Sequence, residues 1–81
     1  MTFTEKIIKI IKENIEKAKD ITPETNIWND LEIDSLDFMI VINAIEDEYN
    51  VSIEETEFTG IQKVSELIIK LKQSYPGIEE K

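Results

Sequence analysis

Apolar residues recur at steps of three and four along most of this 81-residue chain, the spacing of helices that bury one face. In the opening segment MTFTEKIIKIIKENIEKAKD, Phe3, Ile7, Ile8, Ile11, Ile15 and Ala18 form such a stripe. Thr2 and Glu5 precede it at capping-box spacing. Lysines fill its last turn, which suits the negative end of a helix dipole, so the whole segment is predicted as a first helix. The next stretch, ITPETNIWNDLEID, breaks the pattern. Pro23 biases Thr22 away from helix, and no strand alternation of useful length appears. Ile27, Trp28, Leu31 and Ile33 are apolar enough to pin a long loop onto a core, and loops of this length in compact domains often carry function.

The helical pattern resumes in DSLDFMIVINAIEDEYN. At about 100° per residue, Phe38, Val41, Ile42, Ile45 and Tyr49 share one sector, with Met39 at its flank. Leu36 and Ile40 fall elsewhere, in the sector of Asn43 and Asp47, on a face the core does not need. VSIEETEF is predicted as a short third helix, capped by Ser52 with Glu55 three residues on. TGIQKVSELIIKLKQSY is the last helix, with Ile61, Val64, Leu67, Ile68 and Leu71 on one face. Pro76 and Gly77 stop it, and residues 74–81 are expected to be a flexible tail. The predicted fold class is all-α. It is a small four-helix bundle, three longer helices and one short one, with a long loop between helices one and two. One domain spans residues 1–81.

Composition then narrows the chemistry. The chain has no cysteine and no histidine, which removes thiol chemistry, the usual near-neutral acid/base and the usual zinc ligand. An autonomous hydrolase or a zinc protein is therefore not expected. No apolar run approaches the roughly 18 residues of a membrane span. Lys6, Lys9 and Lys12 interrupt the apolar runs near the N-terminus, so no signal peptide is predicted and a cytoplasmic location is expected. The net charge of −9 is unevenly placed: five of nine lysines precede Asp20, whereas Asp20 through Gln62 holds twelve acids and no basic residue. Such a surface repels nucleic acid and anionic membrane and attracts partners with basic patches, or divalent cations bound loosely. Taken alone, an acidic run is more often a solvated face. The amphipathic first helix fits bundle packing better than docking on anionic lipid, which the acidic remainder opposes.

Ser35 stands between two aspartates in EIDSLDF. On spacing alone this is a helix start, with Asp34 as N-cap and Asp37 near the positive helix end. Ser35 is poorly equipped as a self-activated nucleophile, because no histidine can take its proton and no Gly-x-Ser-x-Gly elbow surrounds it. A hydroxyl at a helix N-terminus does tolerate a phosphodiester. It would receive a group from another enzyme, and the nearby carboxylates would make that group project outward. The alternation of Asp30, Glu32 and Asp34 invites a calcium-loop reading. With Asp30 as the first position, Ser35 falls where glycine is needed and Val41 where a bidentate glutamate is needed. No specific metal site is expected.

DLEIDSLDFMIVINAIEDEYNV resembles the helix-two region of acyl carrier proteins. Trp28-Asn29-Asp30-Leu31 before it, the IEETEF segment and IQKVSELIIKL match in order, so the similarity covers roughly residues 3–72. The resemblance implies that Ser35 carries a 4'-phosphopantetheine arm, installed from coenzyme A by a magnesium-dependent phosphopantetheinyl transferase, and that its thiol holds acyl groups as thioesters. It implies docking roles for Asp34, Leu36 and Asp37 toward the transferase. It also implies that Asp37, Glu46, Asp47 and Glu48 meet basic patches on acyl-transferring or condensing enzymes of fatty-acid, polyketide or related biosynthesis. Phe38, Ile42, Ile45 and Ile61 are expected to line an acyl-chain cleft. The chain itself would be a monomeric carrier without catalysis.

Two positions depart from the family pattern. Glycine is common two residues before the motif's aspartate, and here Glu32 stands there, so the loop is expected to bend differently. Ile40 replaces a frequent glutamate, which points to a less purely electrostatic partner surface and a specialised carrier. Asp34 before the serine weakly favours an acyl over a peptidyl carrier. The competing readings are an unmodified acidic helical interaction module and an adaptor dimerising through Leu36 and Ile40.

Overall fold

The computed structural model describes residues 1–16 and 20–81. Three α-helices pack around one continuous apolar cluster: α1 (Phe3–Asn14), α2 (Ser35–Tyr49) and α3 (Val64–Ser74). Two short 3-10 turns, Glu55–Phe58 and Ile78–Glu80, complete the regular structure. No helix among the described residues is long and apolar enough to cross a membrane.

The start of α1 is dictated by its first residues. The Thr2 hydroxyl accepts from Glu5 N–H at 3.1 Å, and the Glu5 carboxylate accepts from Thr2 N–H at 2.8 Å, so two otherwise orphaned donors are satisfied. Its end comes earlier than the periodicity predicts, at Asn14 instead of Asp20. The Asn14 amide turns back to the Ile10 carbonyl at 2.8 Å. Ile15 then goes extended, at φ −122° and ψ 106°, as β-branched residues do readily, and its side chain is buried in the core. Lys17, Ala18 and Lys19, assigned to the last turn from the pattern, lie outside the described residues. The buried stripe is Phe3, Ile7, Ile10 and Ile11, so Ile10 replaces the half-buried Ile8 on the inner face.

Helix α2 buries Phe38, Val41, Ile42, Ile45 and Tyr49, the predicted sector. It ends at Asn50, whose φ of 54° is left-handed, a conformation asparagine tolerates better than most side chains. The predicted third helix is instead the single 3-10 turn Glu55–Phe58, and Ser52 does not cap it. The backbone donors leading into the turn are satisfied from elsewhere. Glu46 Oε2 accepts from Ile53 N–H at 2.8 Å, and the Tyr75 hydroxyl oxygen accepts from Glu54 N–H at 3.0 Å. With the approach to the turn tied down in this way, one tight turn spans the gap that an α-helix was expected to fill. Among the described residues the fold is all-helical, with three α-helices and two lone 3-10 turns, and the turn Glu55–Phe58 stands where the short helix of a four-helix bundle was expected.

Helix α3 begins at Val64, later than the pattern predicts, and buries Val64, Leu67, Ile68 and Leu71. Glu66 accepts from the backbone N–H groups of Lys63 and Gln62, and these bonds hold its carboxyl below the usual carboxylate value. Beyond Pro76 the chain folds back. Gly77, at φ 87°, makes the bend without a side-chain penalty and delivers Ile78 to the core at 1% exposure. This apolar anchor is why the last residues form a turn where a loose tail was expected.

Tyr49 is the one oddity of this core. Its ring packs edge-on to Phe3 at 5.5 Å, yet its hydroxyl is buried with no hydrogen-bond partner among the described residues. Burial, and then the neighbouring Glu48 charge, push the phenol above its ordinary value. A group whose folded-state value is raised contributes stability that is complete below its unfolded value, about 10, and is lost as the pH climbs through the folded value. Tyr49→Phe should therefore be neutral or stabilising by up to about 1 kcal/mol at neutral pH. In urea unfolding, its advantage over the parent should widen above about pH 10.

Candidate functional site

The long loop reaches α2 by a sequence of side-chain-to-backbone locks. Asn26 Oδ1 accepts from Trp28 N–H (2.9 Å) and Asn29 N–H (2.8 Å), and Asp30 Oδ2 accepts from Asn26 N–H (2.8 Å). Across the fold, Ile27 N–H donates to Gln62 O at 2.7 Å beside an isolated antiparallel bridge between Asn26 and Lys63. Lys63 is paired with Glu24 at 3.0 Å, and that hydrogen bond raises its pKa. Asp30 is thus occupied in holding the loop. Among the described residues no group of three or more acidic side chains could hold a metal ion.

Between the buried Leu31 and the half-buried Ile33 stands Glu32 at φ 52°. The loop was expected to bend differently without glycine at this point. Instead the backbone adopts the left-handed conformation glycine would favour, because the apolar anchors on either side fix the path between them.

Ser35 is the first residue of α2 and is exposed. Asp34 Oδ1 accepts from Asp37 N–H at 3.0 Å, and Asp37 Oδ2 reaches back to Asp34 N–H at 3.5 Å. The two aspartates are engaged with the backbone, where the positive end of the helix favours them. Among the described residues nothing hydrogen-bonds the Ser35 hydroxyl. A phosphate ester on that exposed oxygen would project into solvent, away from the two carboxylates and from the positive end of the helix, so the residues present leave room for such a group.

Beside Ser35 opens a cleft of about 470 Å³, lined by Trp28, Ser35, Phe38 and the 55–62 segment, including Thr56, Phe58, Thr59 and Ile61. Trp28 is fixed at its edge. Its indole N–H donates to Ile61 O at 2.7 Å, and its ring lies 5.1 Å from that of Phe38 at a 45° tilt. Phe38 and Ile61 stand in this lining. Ile42 and Ile45, expected on the same wall, are instead buried in the core at 1% and 0% exposure. Leu36 and Ile40, one turn apart on α2, are exposed at 73% and 47%. Of the acids farther along, Asp47 and Glu48 are exposed, while Glu46 is half-buried and bonded to Ile53. Trp28, Phe58 and the two threonines were not singled out from the sequence as cleft residues. The only signal was the apolar character of Trp28 and Phe58 in segments otherwise polar.

Comparison with known proteins defines the class to which this arrangement belongs. The family described as phosphopantetheine attachment site matches residues 5–71. The acyl carrier protein of Syntrophus aciditrophicus is 38% identical over 73 residues, covering 89% of this chain and 91% of that protein. The acyl carrier protein of Rickettsia canadensis is 37% identical over 70 residues (85% and 81%), and that of Nitratidesulfovibrio vulgaris is 36% identical over 73 residues (89% and 96%). No solved structure matches the chain. The chain belongs to the acyl carrier protein family, whose members are carriers with covalently attached 4'-phosphopantetheine and not enzymes.

The left-handed Glu32 yields a direct test of the loop geometry. Holding a non-glycine residue there costs about 1–2 kcal/mol, against roughly 0.5–1 kcal/mol of extra chain entropy lost by glycine. Glu32→Gly should be more stable than Glu32→Ala by up to about 1 kcal/mol in urea unfolding, because both variants lack the glutamate side chain and differ only in how easily they adopt a positive φ. A glycine variant no more stable than the alanine variant would contradict the assigned conformation.

Proposed function

We propose that Ser35 is the attachment point of the phosphopantetheine arm and that the chain carries acyl groups as thioesters between biosynthetic enzymes. The observation that carries this reading is an exposed serine hydroxyl, unbonded among the described residues, at the first turn of α2 and at the rim of an apolar cleft. Loading is a phosphoryl-centred substitution. The Ser35 oxygen forms a bond to the pantetheine-bearing phosphorus of coenzyme A, the pyrophosphate linkage breaks, the adenosine bisphosphate half leaves, and the hydroxyl proton passes to a base of the transferase. The chain contributes position: an oxygen held at a helix start, with Asp34 and Asp37 oriented by the backbone beside it. The arm supplies the thiol that a cysteine-free chain lacks.

The transferase is met by Asp34, Leu36 and Asp37. Partner enzymes with basic patches are met by α2 through Asp37, Asp47 and Glu48, with Glu46 contributing less because it also holds Ile53. Exposed Leu36 and Ile40 give that surface an apolar centre, which fits a carrier dedicated to a particular enzyme set in fatty-acid, polyketide or related biosynthesis. The carrier acts as a single-domain monomer in the cytoplasm, and the cleft beside Ser35 receives the acyl group through Phe38 and Ile61.

Incubation with coenzyme A, magnesium and a broad-range phosphopantetheinyl transferase should add one arm mass to the intact protein, located on the peptide containing Ser35. Ser35→Ala should gain nothing. An unlabelled parent protein would favour the unmodified interaction module, and a labelled Ser35→Ala protein would place the attachment elsewhere.

A further inference from the structure

The cleft beside Ser35 stops at Phe58. This side chain is one of the cleft's lining residues and at the same time the bulkiest of the fully buried side chains, at 2% exposure. One part of its ring therefore closes the cleft while the rest packs in the core. Phe58 belongs to the same buried apolar cluster as Ile42, Ile45, Val64 and Leu67, which are all at 1% exposure or less and do not line the cleft.

Phe58 is also held in place. It ends the 3-10 turn whose approach is tied to the Tyr75 hydroxyl, which accepts from Glu54 N–H at 3.0 Å and donates to Glu57 Oε2 at 3.4 Å. Ile61 N–H closes back onto Phe58 O at 3.3 Å. Trp28, another lining residue, is held by the bond from its indole N–H to Ile61 O. A long alkyl chain entering here would have to displace a buried aromatic ring and disrupt close-packed side chains, which interiors resist. A short acyl group needs only the existing space between Trp28, Phe38, Phe58 and Ile61.

We propose that Phe58 is a specificity-determining residue that restricts the cleft to short acyl groups, leaving long alkyl chains outside. This rests on the carrier reading of Ser35, and the experiment separates the two. The full-length protein is loaded by transferase with butyryl-coenzyme A or hexadecanoyl-coenzyme A, and loading on Ser35 is verified by mass. Thioester cleavage by hydroxylamine is then timed against the same acyl-pantetheine free in solution, and the emission of the chain's single tryptophan, Trp28, is recorded.

The expected result is severalfold protection of the butyryl thioester with a shift in Trp28 emission, and hexadecanoyl cleavage at the free rate with no shift. In Phe58→Ala the hexadecanoyl thioester should become protected severalfold. Phe58→Leu, which keeps the core filled, should give an intermediate value if the alanine variant does not fold. Equal or greater protection of hexadecanoyl in the parent protein overturns the proposal, as does loaded protein in which neither chain is protected. Absence of any acyl-arm mass on Ser35 refutes the carrier assignment itself.

Discussion

The reciprocal bonding of Asp34 and Asp37 at the start of α2 is the constraint on which the rest depends. Two like charges three residues apart would ordinarily oppose one another. Here the carboxylate of Asp34 lies on Asp37 N–H and that of Asp37 turns toward Asp34 N–H, at the positive end of a helix. Once the helix begins at Ser35, its period sets the direction of every later side chain. Ser35 and Leu36 face outward, Phe38 turns inward to the cleft, and Val41, Ile42, Ile45 and Tyr49 enter the core. Moving the start by one residue would rotate all of these by about 100° and take the hydroxyl away from the cleft rim.

The second constraint is the long loop, which must bring the chain to that helix start along one path. It does so with backbone bonds to the 62–65 segment, the Asn26 and Asp30 side chains, and buried Ile27 and Leu31. The left-handed Glu32 is the local cost of that path. The same segments that receive the loop also build the cleft, so Trp28 and Ile61 serve loop anchoring and site shape together. The helix start and the cleft therefore form one unit on a small core.

Much of this was legible in the residues, and the limits have physical causes. Helix α2 was readable in full because a cap, a strong apolar sector and a polar face agree. The inner face of α3 was equally clear. The end of α1 was not, because nothing at Asn14 is a strong breaker, and it stops where Ile15 gains more by turning into the core than by continuing the helix. The short third helix is a 3-10 turn because the donors leading into it, Ile53 N–H and Glu54 N–H, are taken by Glu46 and by the distant Tyr75, which spacing within the segment does not reveal. Ile78 was lost to the tail because one isoleucine among acids carries no period. In the site, the reciprocal cap of Asp34 and Asp37 could be read from their spacing, whereas an attachment role for Ser35 is what the resemblance to acyl carrier proteins implies. Ile42 and Ile45 were assigned to the cleft because a helical wheel separates core from solvent but not core from cavity.

The central claim is that Ser35 bears the arm in the working protein. Tandem mass spectrometry of the chain isolated from the cell that makes it tests this most directly, by looking for the phosphopantetheine fragment released from the peptide spanning residues 32–38. The account predicts that this peptide is found with the arm and that no other peptide of the chain carries it. A native protein whose Ser35 is uniformly a free hydroxyl, or whose arm is found on another residue, would contradict it.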